Sequence, residues 1–290
     1  MNTHSSSAVL ANARSFLFVP GNRPERFEKA VRSGADAVVL DLEDAVPLQD
    51  KAAARGAIEA AWPRLRSMHV PLVVRINAVE QAAGQDDLRW LACLPSVAGV
   101  MVPKAESAAA LESVRTGLPA VPILPLIESA AGWSALQDIS RAAGVLRLVV
   151  GHIDFMADTG LLCGEDEAEL APLRFAVAMA TRNRQLAPAV DGVTVAIQDD
   201  ARLRRDTRRT LRFGFGAKLC VHPRQVSIIH EQLAPSGQQL DRARRVVAAD
   251  AAAQGAAVQL DGRMVDLPVV LQARRLLARH AAAGRAAPGA

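Results

Sequence analysis

Tyrosine is absent from this 290-residue chain, and aromatic residues together make up 3% of it. A nucleic-acid partner is not expected, because unpaired bases are held on aromatic faces that the chain scarcely has. A β-sandwich is also disfavoured: Ala, Val and Leu do the filling, which suits helices packed on parallel strands. Cysteine is rare as well. Cys93, Cys163 and Cys220 are odd in number, far apart, and form no CxxC or zinc spacing. They read as reduced thiols, which points to the cytoplasm. No apolar run is long enough for a membrane span. The first dozen residues lack the charged and apolar regions of a signal peptide, so residues 1–12 read as a flexible tail.

Half of the residues are hydrophobic and 22% are charged, as in a globular protein with a large core. The net charge is +4, with much of the excess in the arginines between Arg202 and Arg212. Such a balance suits a phosphate-bearing small ligand.

One rhythm runs along the chain. Short apolar runs, "SFLFVP", "AVVLDLED", "LVVRIN", "GVMVPK", "PILPLIES", "LRLVVGHID", "GVTVAIQD" and "AKLCVHP", are each followed by an Ala-rich amphipathic segment. "RPERFEKAVRSG" opens near Pro24 and closes on Gly34, the usual helix asymmetry. Asp50, Asp199 and Asp200 read as helix caps. Continuous apolar strands alternating with helices imply parallel strands buried on both faces. Eight such units over residues 13–235 predict a (β/α)8 TIM barrel. An open doubly wound sheet is the alternative, but no GxGxxG follows the first strand, and "FGFGAK" precedes a strand. Residues 236–290 lie outside the repeat and read as a C-terminal helical extension: a helix, an extended piece with an Asp-Gly turn in "AVQLDGRMVDL", and a last helix.

Ionisable residues collect at the C-terminal ends of the runs: Asp41, Glu43 and Asp44; Arg75; Lys104 and Glu106; Glu128; His152 and Asp154; Asp199 and Asp200; His222. A barrel enzyme places its chemistry on that face. Glu128 and Asp154 end neighbouring strands, so their carboxylates can converge on Mg2+, which keeps open positions for water and substrate. Zinc is disfavoured because no second histidine lies at ligand spacing from His152. Arg75 either clamps a substrate carboxylate or pairs with Glu43 or Asp44. Lys104 reads as a paired, protonated group rather than a Schiff-base lysine. His152 either lines a substrate pocket or bonds to nearby backbone.

The segments "RSFLFVPGNRPERFEKA", "VVLDLEDAV", "VVRINA", "VPKAES", "PLIESAAG", "GHIDFMADTG", "GFGAKLCVHPRQV" and "GRMVDLPVV" span Arg14 to about Ala273 in order. With them the chain resembles the citrate lyase β-subunit-like acyl-CoA lyases of the HpcH/HpaI aldolase superfamily. The resemblance implies a TIM barrel with Mg2+ held by Glu128 and Asp154. It implies that Arg75 binds keto-acid or enolate oxygens, and that Glu43 and Asp44 form an acidic shell around the metal and its waters. Phe18, Arg23, Lys29 and Pro223 match positions near coenzyme A, which is part of the substrate. Asp266 matches an acid on a C-terminal lid that closes over a neighbouring subunit's site. A homo-oligomer follows, a trimer or hexamer. The implied reaction is cleavage of a 3-hydroxyacyl-CoA of the citramalyl or malyl type to a keto acid and an acetyl-CoA-like product. The alternatives are the citryl-acyl-carrier-protein lyase subunit of a citrate lyase complex, and a thioesterase or malate-synthase-like activity.

Overall fold

The computed structural model describes residues 3–286, and side chains over 7–281. The chain divides into two compact units, Met1–Leu233 and Ala234–Ala290. The first is a closed barrel of eight parallel strands in sequence order: β1 Ser15–Pro20, β2 Ala37–Asp41, β3 Leu72–Arg75, β4 Gly99–Val102, β5 Ile123–Ile127, β6 Val149–Val150, β7 Val190–Asp191 and β8 Ala217–Cys220. Closure is made by β1 pairing with β8.

Strand alternation divides the core. Phe16, Ala37, Val39, Val73, Met101, Leu124, Leu126, Val149, Val190, Ala217 and Leu219 form one buried cluster, the filling of the barrel. Their neighbours Leu17, Val38, Leu40, Val74 and Val100 belong to a second cluster shared with helices such as Lys51–Arg66 and Ala171–Asn183. This period of two decides which strand-end side chains face the mouth. In β2, Asp41 continues the inward series Ala37, Val39, and it is in register with Arg75 of β3.

Three sequence expectations differ from the structure. Residues Thr3–Asn12 form a helix rather than a loose tail. Leu10 is fully buried against the barrel filling, and the Arg147 guanidinium donates to the carbonyls of Leu10 (3.0 Å), Ala13 (2.8 Å) and Pro188 (2.8 Å). Second, "GVTVAIQD" is not the seventh strand. That strand is the pair Val190–Asp191 just before it, and Val195 and Ile197 lie in the following loop, 65% and 40% exposed. A two-residue strand carrying a buried charge gives no apolar pattern, whereas the loop's β-branched residues imitate one. Third, Asp50 makes no side-chain cap, although Asp199 does, accepting from the Arg202 backbone N–H at 2.8 Å.

Arg147 is 1% exposed and, among the described residues, has no carboxylate within salt-bridge range; burial pushes its pKa down to about 9. Its bonds are to backbone carbonyls, and its guanidinium lies 5.3 Å from the Phe16 ring centroid. Arg147→Ala would leave those carbonyls without their donor and open a void, so we expect a loss of roughly 3 kcal/mol or more in urea unfolding. An unchanged midpoint would show that the floor of the barrel does not depend on this residue.

The second unit pairs the helices Gly237–Ala252 and Leu267–Ala286 around Ala243, Val246, Val265, Val270 and Ala273. Between them lies a hairpin, β9 Val258–Leu260 and β10 Arg263–Val265, turned on Asp261 and Gly262, both with positive φ. Among the described residues no helix is long and apolar enough to cross a membrane.

Candidate functional site

Arg75 organises the mouth of the barrel. Its Nε donates to Asp41 Oδ1 and its Nη2 to Asp41 Oδ2, both at 2.7 Å, a two-pronged bond fixed by the β2–β3 register. Nη1 lies 2.7 Å from Glu43 Oε2 and 3.5 Å from Asp44 Oδ2. The Glu43 contact is an ion pair by distance, but that oxygen has no aligned hydrogen-bond donor. The Phe18 ring of β1 lies 4.9 Å from the guanidinium carbon. Burial opposes the charge of Arg75, yet the Asp41, Glu43 and Asp44 carboxylates raise its pKa further still. In the structure Arg75 is a paired ion: its chief partner is Asp41, and its Nη1 edge faces Glu43 and Asp44.

Opposite it stands Glu128, directly after β5 and 2% exposed. Oε1 accepts from the Lys104 backbone N–H at 2.7 Å, and Oε2 has no partner. Burial, with repulsion from Glu43 and then Asp154, pushes its pKa up to about 8. Glu43 behaves alike: burial and the Asp44 charge outweigh Arg75 and place it at about 7. Asp154 sits in the first turn of the helix His152–Thr159, which begins straight after β6. Lys104, at φ 46°, brings Nζ to 3.4 Å from Glu43 Oε1. Burial lowers its pKa but Glu43 and Asp44 raise it more, so its amine stays protonated and is a poor Schiff-base nucleophile.

Gly151 is required here for space. A Cβ at this position would lie 2.5 Å from Glu128 Oε2 and 2.6 Å from Glu128 Cβ. The glycine lets the chain pass the carboxylate, rather than a ligand directly. Across the next gap, the imidazole of His152 fills the place a side chain on Gly192 would take. His152 is 3% exposed, its Nδ1 is unpartnered, and burial pushes its pKa down to about 4. It is a neutral ring at pH 7.

The remaining sequence candidates separate. Phe18, Arg75, Glu43, Asp44, Glu128 and Asp154 gather at the mouth. Arg23 and Lys29 are exposed beyond the end of β1, and Pro223 lies beyond β8. β1 and β8 are paired neighbours, so the chain segments that carry these three residues leave the barrel from adjacent strands. Arg23 is bonded to Glu25 at 2.6 Å. Asp266 belongs to the second unit, where it stands at the start of the last helix and its carboxylate accepts from Val269 N–H at 3.4 Å. Asp199 and Asp200 lie on the helix after the seventh-strand loop, as helix-terminal residues.

Two groups escaped sequence reasoning. Asp41 was visible as a strand-end acid, but its pairing with Arg75 follows only from inward alternation and register. Asp191, in β7, is fully buried and bonded to Arg174 and Thr210, and it lies close to the charge of Lys218. Arg174 also meets Glu167 at 2.6 Å, and Arg202 and Arg209 converge on that same carboxylate. This knot holds the segment after β6 against the helices beside β7 and lies outside the carboxylate cluster. A cavity of about 480 Å³ between the N-terminal helix and the loops before β3, β4 and β5 is lined by none of the mouth residues.

Among the described residues no set of three or more His, Cys, Asp or Glu is placed to hold a metal by itself. The donors at the mouth nevertheless fit a hard divalent cation with open positions. They are carboxylate oxygens, two of them, Glu43 Oε2 and Glu128 Oε2, buried without a hydrogen-bond partner, and the burial that raises Glu128 would be offset by a cation.

A parallel barrel with paired carboxylates and a buried arginine at its C-terminal rim defines the class of molecule. Within it, residues 14–223 match the model of the HpcH/HpaI aldolase/citrate lyase family, and this chain belongs to that family. It is 38% identical to a citrate lyase subunit beta-like protein of Deinococcus radiodurans, across 95% of this chain and 100% of that one. It is 31% identical to a (3S)-malyl-CoA thioesterase of Cereibacter sphaeroides, across 92% and 94%. Among solved structures, CitE of Mycobacterium tuberculosis in complex with magnesium, acetoacetate and coenzyme A has 33% identity and a TM-score of 0.80, covering 93% of this chain and 98% of that one.

Proposed function

We propose that this protein is a Mg2+-dependent carbon–carbon lyase acting on a 3-hydroxyacyl-CoA thioester of the citramalyl or malyl type. The observation that carries the proposal is the buried, half-satisfied carboxylate of Glu128 facing Asp154, Glu43 and the Arg75 guanidinium. The related CitE that binds magnesium, acetoacetate and coenzyme A supports it.

Glu128 Oε2 and Asp154 would hold the cation, with Glu43 and Asp44 completing the acidic shell. When bound, Mg2+ supplies positive charge to the hydroxyl and carboxylate oxygens of the substrate. Cleavage removes the hydroxyl proton and breaks the bond between the hydroxyl-bearing carbon and the carbon next to the thioester. The first fragment leaves as the keto acid, and the bonding electron pair stays on the second as an enolate. Glu43, at about 7, suits a group that takes up and returns a proton near neutral pH. Arg75 offers its remaining N–H bonds to developing negative oxygen, held in place by the Asp41 fork. Arg23, Lys29 and Pro223 would border the coenzyme A moiety.

Asp266 is assigned the proton transfer to the enolate carbon. We place it in the site of a neighbouring copy, so the working unit is a homo-oligomer, a trimer or hexamer. Met264, Leu267 and Leu271, exposed apolar residues around Asp266, suit burial against such a neighbour. Asp266→Asn should then lower turnover at least tenfold and leave the unfolding transition in place.

Gly151→Ala tests the cation site without replacing a carboxylate. Its Cβ must displace Glu128, so the Mg2+ Kd measured by calorimetry should rise at least about tenfold. An unchanged Kd would remove Glu128 from the ligand set. The direct test of the activity is thioester cleavage with Mg2+ and with a chelator: cleavage that is lost on chelation and restored by Mg2+ supports the proposal, and cleavage indifferent to the metal contradicts it.

A further inference from the structure

Behind the mouth lies a second polar cluster to which the proposed chemistry gives no part. Lys51, the first residue of the helix Lys51–Arg66, donates from Nζ to the carbonyls of Leu42 (2.9 Å) and Glu43 (3.1 Å) and to Asn77 Oδ1. Those three contacts use all three N–H bonds of the ammonium. Asn77, two residues past Arg75, donates from Nδ2 to the Leu42 carbonyl (3.0 Å) and to Asp87 Oδ2 (2.6 Å). Its backbone N–H reaches the same Asp87 oxygen at 2.8 Å. Asp87, fully buried on the helix Ala82–Leu91, accepts from Arg55 at 2.7 Å through its other oxygen.

We propose that Lys51 and Asp87 are positioning residues that set the distance between Glu43 and Arg75. The inference rests on the reading of those two groups as part of the reactive site. The chain leaving β2 carries Glu43 and the chain leaving β3 carries Arg75; the Lys51–Asn77–Asp87 knot joins them backbone to side chain. The half-buried ammonium of Lys51, held by two carbonyls and an amide oxygen, adds little stability over an apolar filling of the same volume. It does fix geometry, because every donor has one acceptor and one direction. Glu43 Oε2 has no hydrogen-bond partner, and its 2.7 Å ion-pair approach to Arg75 Nη1 depends on where the two backbones stand. A displacement of about 1 Å at a reactive centre lowers turnover on the order of a hundredfold.

The test is a double-mutant cycle on full-length protein, with kcat and KM for thioester cleavage and the Mg2+ Kd by calorimetry. Lys51→Met and Asp87→Asn should each lower kcat about 10- to 100-fold, with KM and the Mg2+ Kd within about threefold of the parent. In a Glu43→Gln background the further loss from either change should shrink to under about threefold, since the positioned group is gone. Equal losses in both backgrounds would overturn the proposal. Asp87→Asn serves if Lys51→Met does not fold. If the parent cleaves no thioester, the functional reading fails by itself, and a crystal structure of the folded variant decides this one. A Glu43–Arg75 contact that has opened upholds the positioning role, and one unmoved from 2.7 Å overturns it.

Discussion

Glu128→Gln should make the metal-free protein more stable at pH 8 while abolishing its response to Mg2+. The Glu128 carboxyl is raised by burial to about 8, against an ordinary value of 4.5. Below about pH 4.5 it is neutral in both folded and unfolded chains. As pH rises from there towards 8, the unfolded chain ionises first, so stability falls across that window by up to about 1.4 kcal/mol per pH unit. Glutamine keeps the shape and the acceptor for the Lys104 N–H, and it removes the ionisation. We expect a gain of about 4 kcal/mol over the parent in chelator at pH 8, falling to about 1 kcal/mol or less at pH 5, by urea unfolding. With saturating Mg2+ the parent should gain stability through binding and the variant should not. Turnover should fall by about a thousandfold or more, the scale of losing a metal-assisted step. A variant that kept its Mg2+ stabilisation would place the cation elsewhere.

Arg75→Met carries the second large effect, in the opposite direction. It strips the two-pronged partner from Asp41 and the cation from Glu43, both buried. Leaving buried carboxylates without their cation costs about 3–5 kcal/mol. The loss should be smaller at pH 5 than at pH 8, because the abandoned Glu43 carboxyl, already raised to about 7 beside Arg75, can then take up a proton. Arg75→Lys should recover part of the stability but little activity, since an ammonium cannot fork across both Asp41 oxygens. If Arg75→Met unfolded at the parent's denaturant midpoint, the cluster would not be held by this residue.

The barrel was legible because parallel strands buried on both faces are written as unbroken apolar runs, and seven of the eight runs overlap true strands. The eighth misled for a physical reason. Asp191 is neutralised by groups from Ala171–Asn183, Asp200–Arg212 and β8, which no local window contains. The gathering of Arg75, Glu43, Asp44, Glu128 and Asp154 at one rim was legible from strand ends alone, since the barrel brings all such ends together. The pairing of Arg75 with Asp41 was not, because it depends on register between β2 and β3. The Lys51–Asn77–Asp87 knot was legible only in Asn77, a polar residue at the end of the third strand run, because Lys51 and Asp87 sit on two helices, where each alone reads as a surface residue. The N-terminal helix was missed because its anchor, Arg147, lies far along the chain.

Product identity tests the central claim most directly. Citramalyl-, malyl-, methylmalyl- and citryl-CoA would each be incubated with the Mg2+-loaded protein, and keto acid, free CoA and residual hydroxy acid measured together. A carbon–carbon lyase releases one keto acid per substrate consumed, with the CoA thioester retained on the other fragment and little free CoA. Free CoA and intact hydroxy acid in equal amounts, with no keto acid from any substrate, would mean that the site hydrolyses the thioester and would contradict the account.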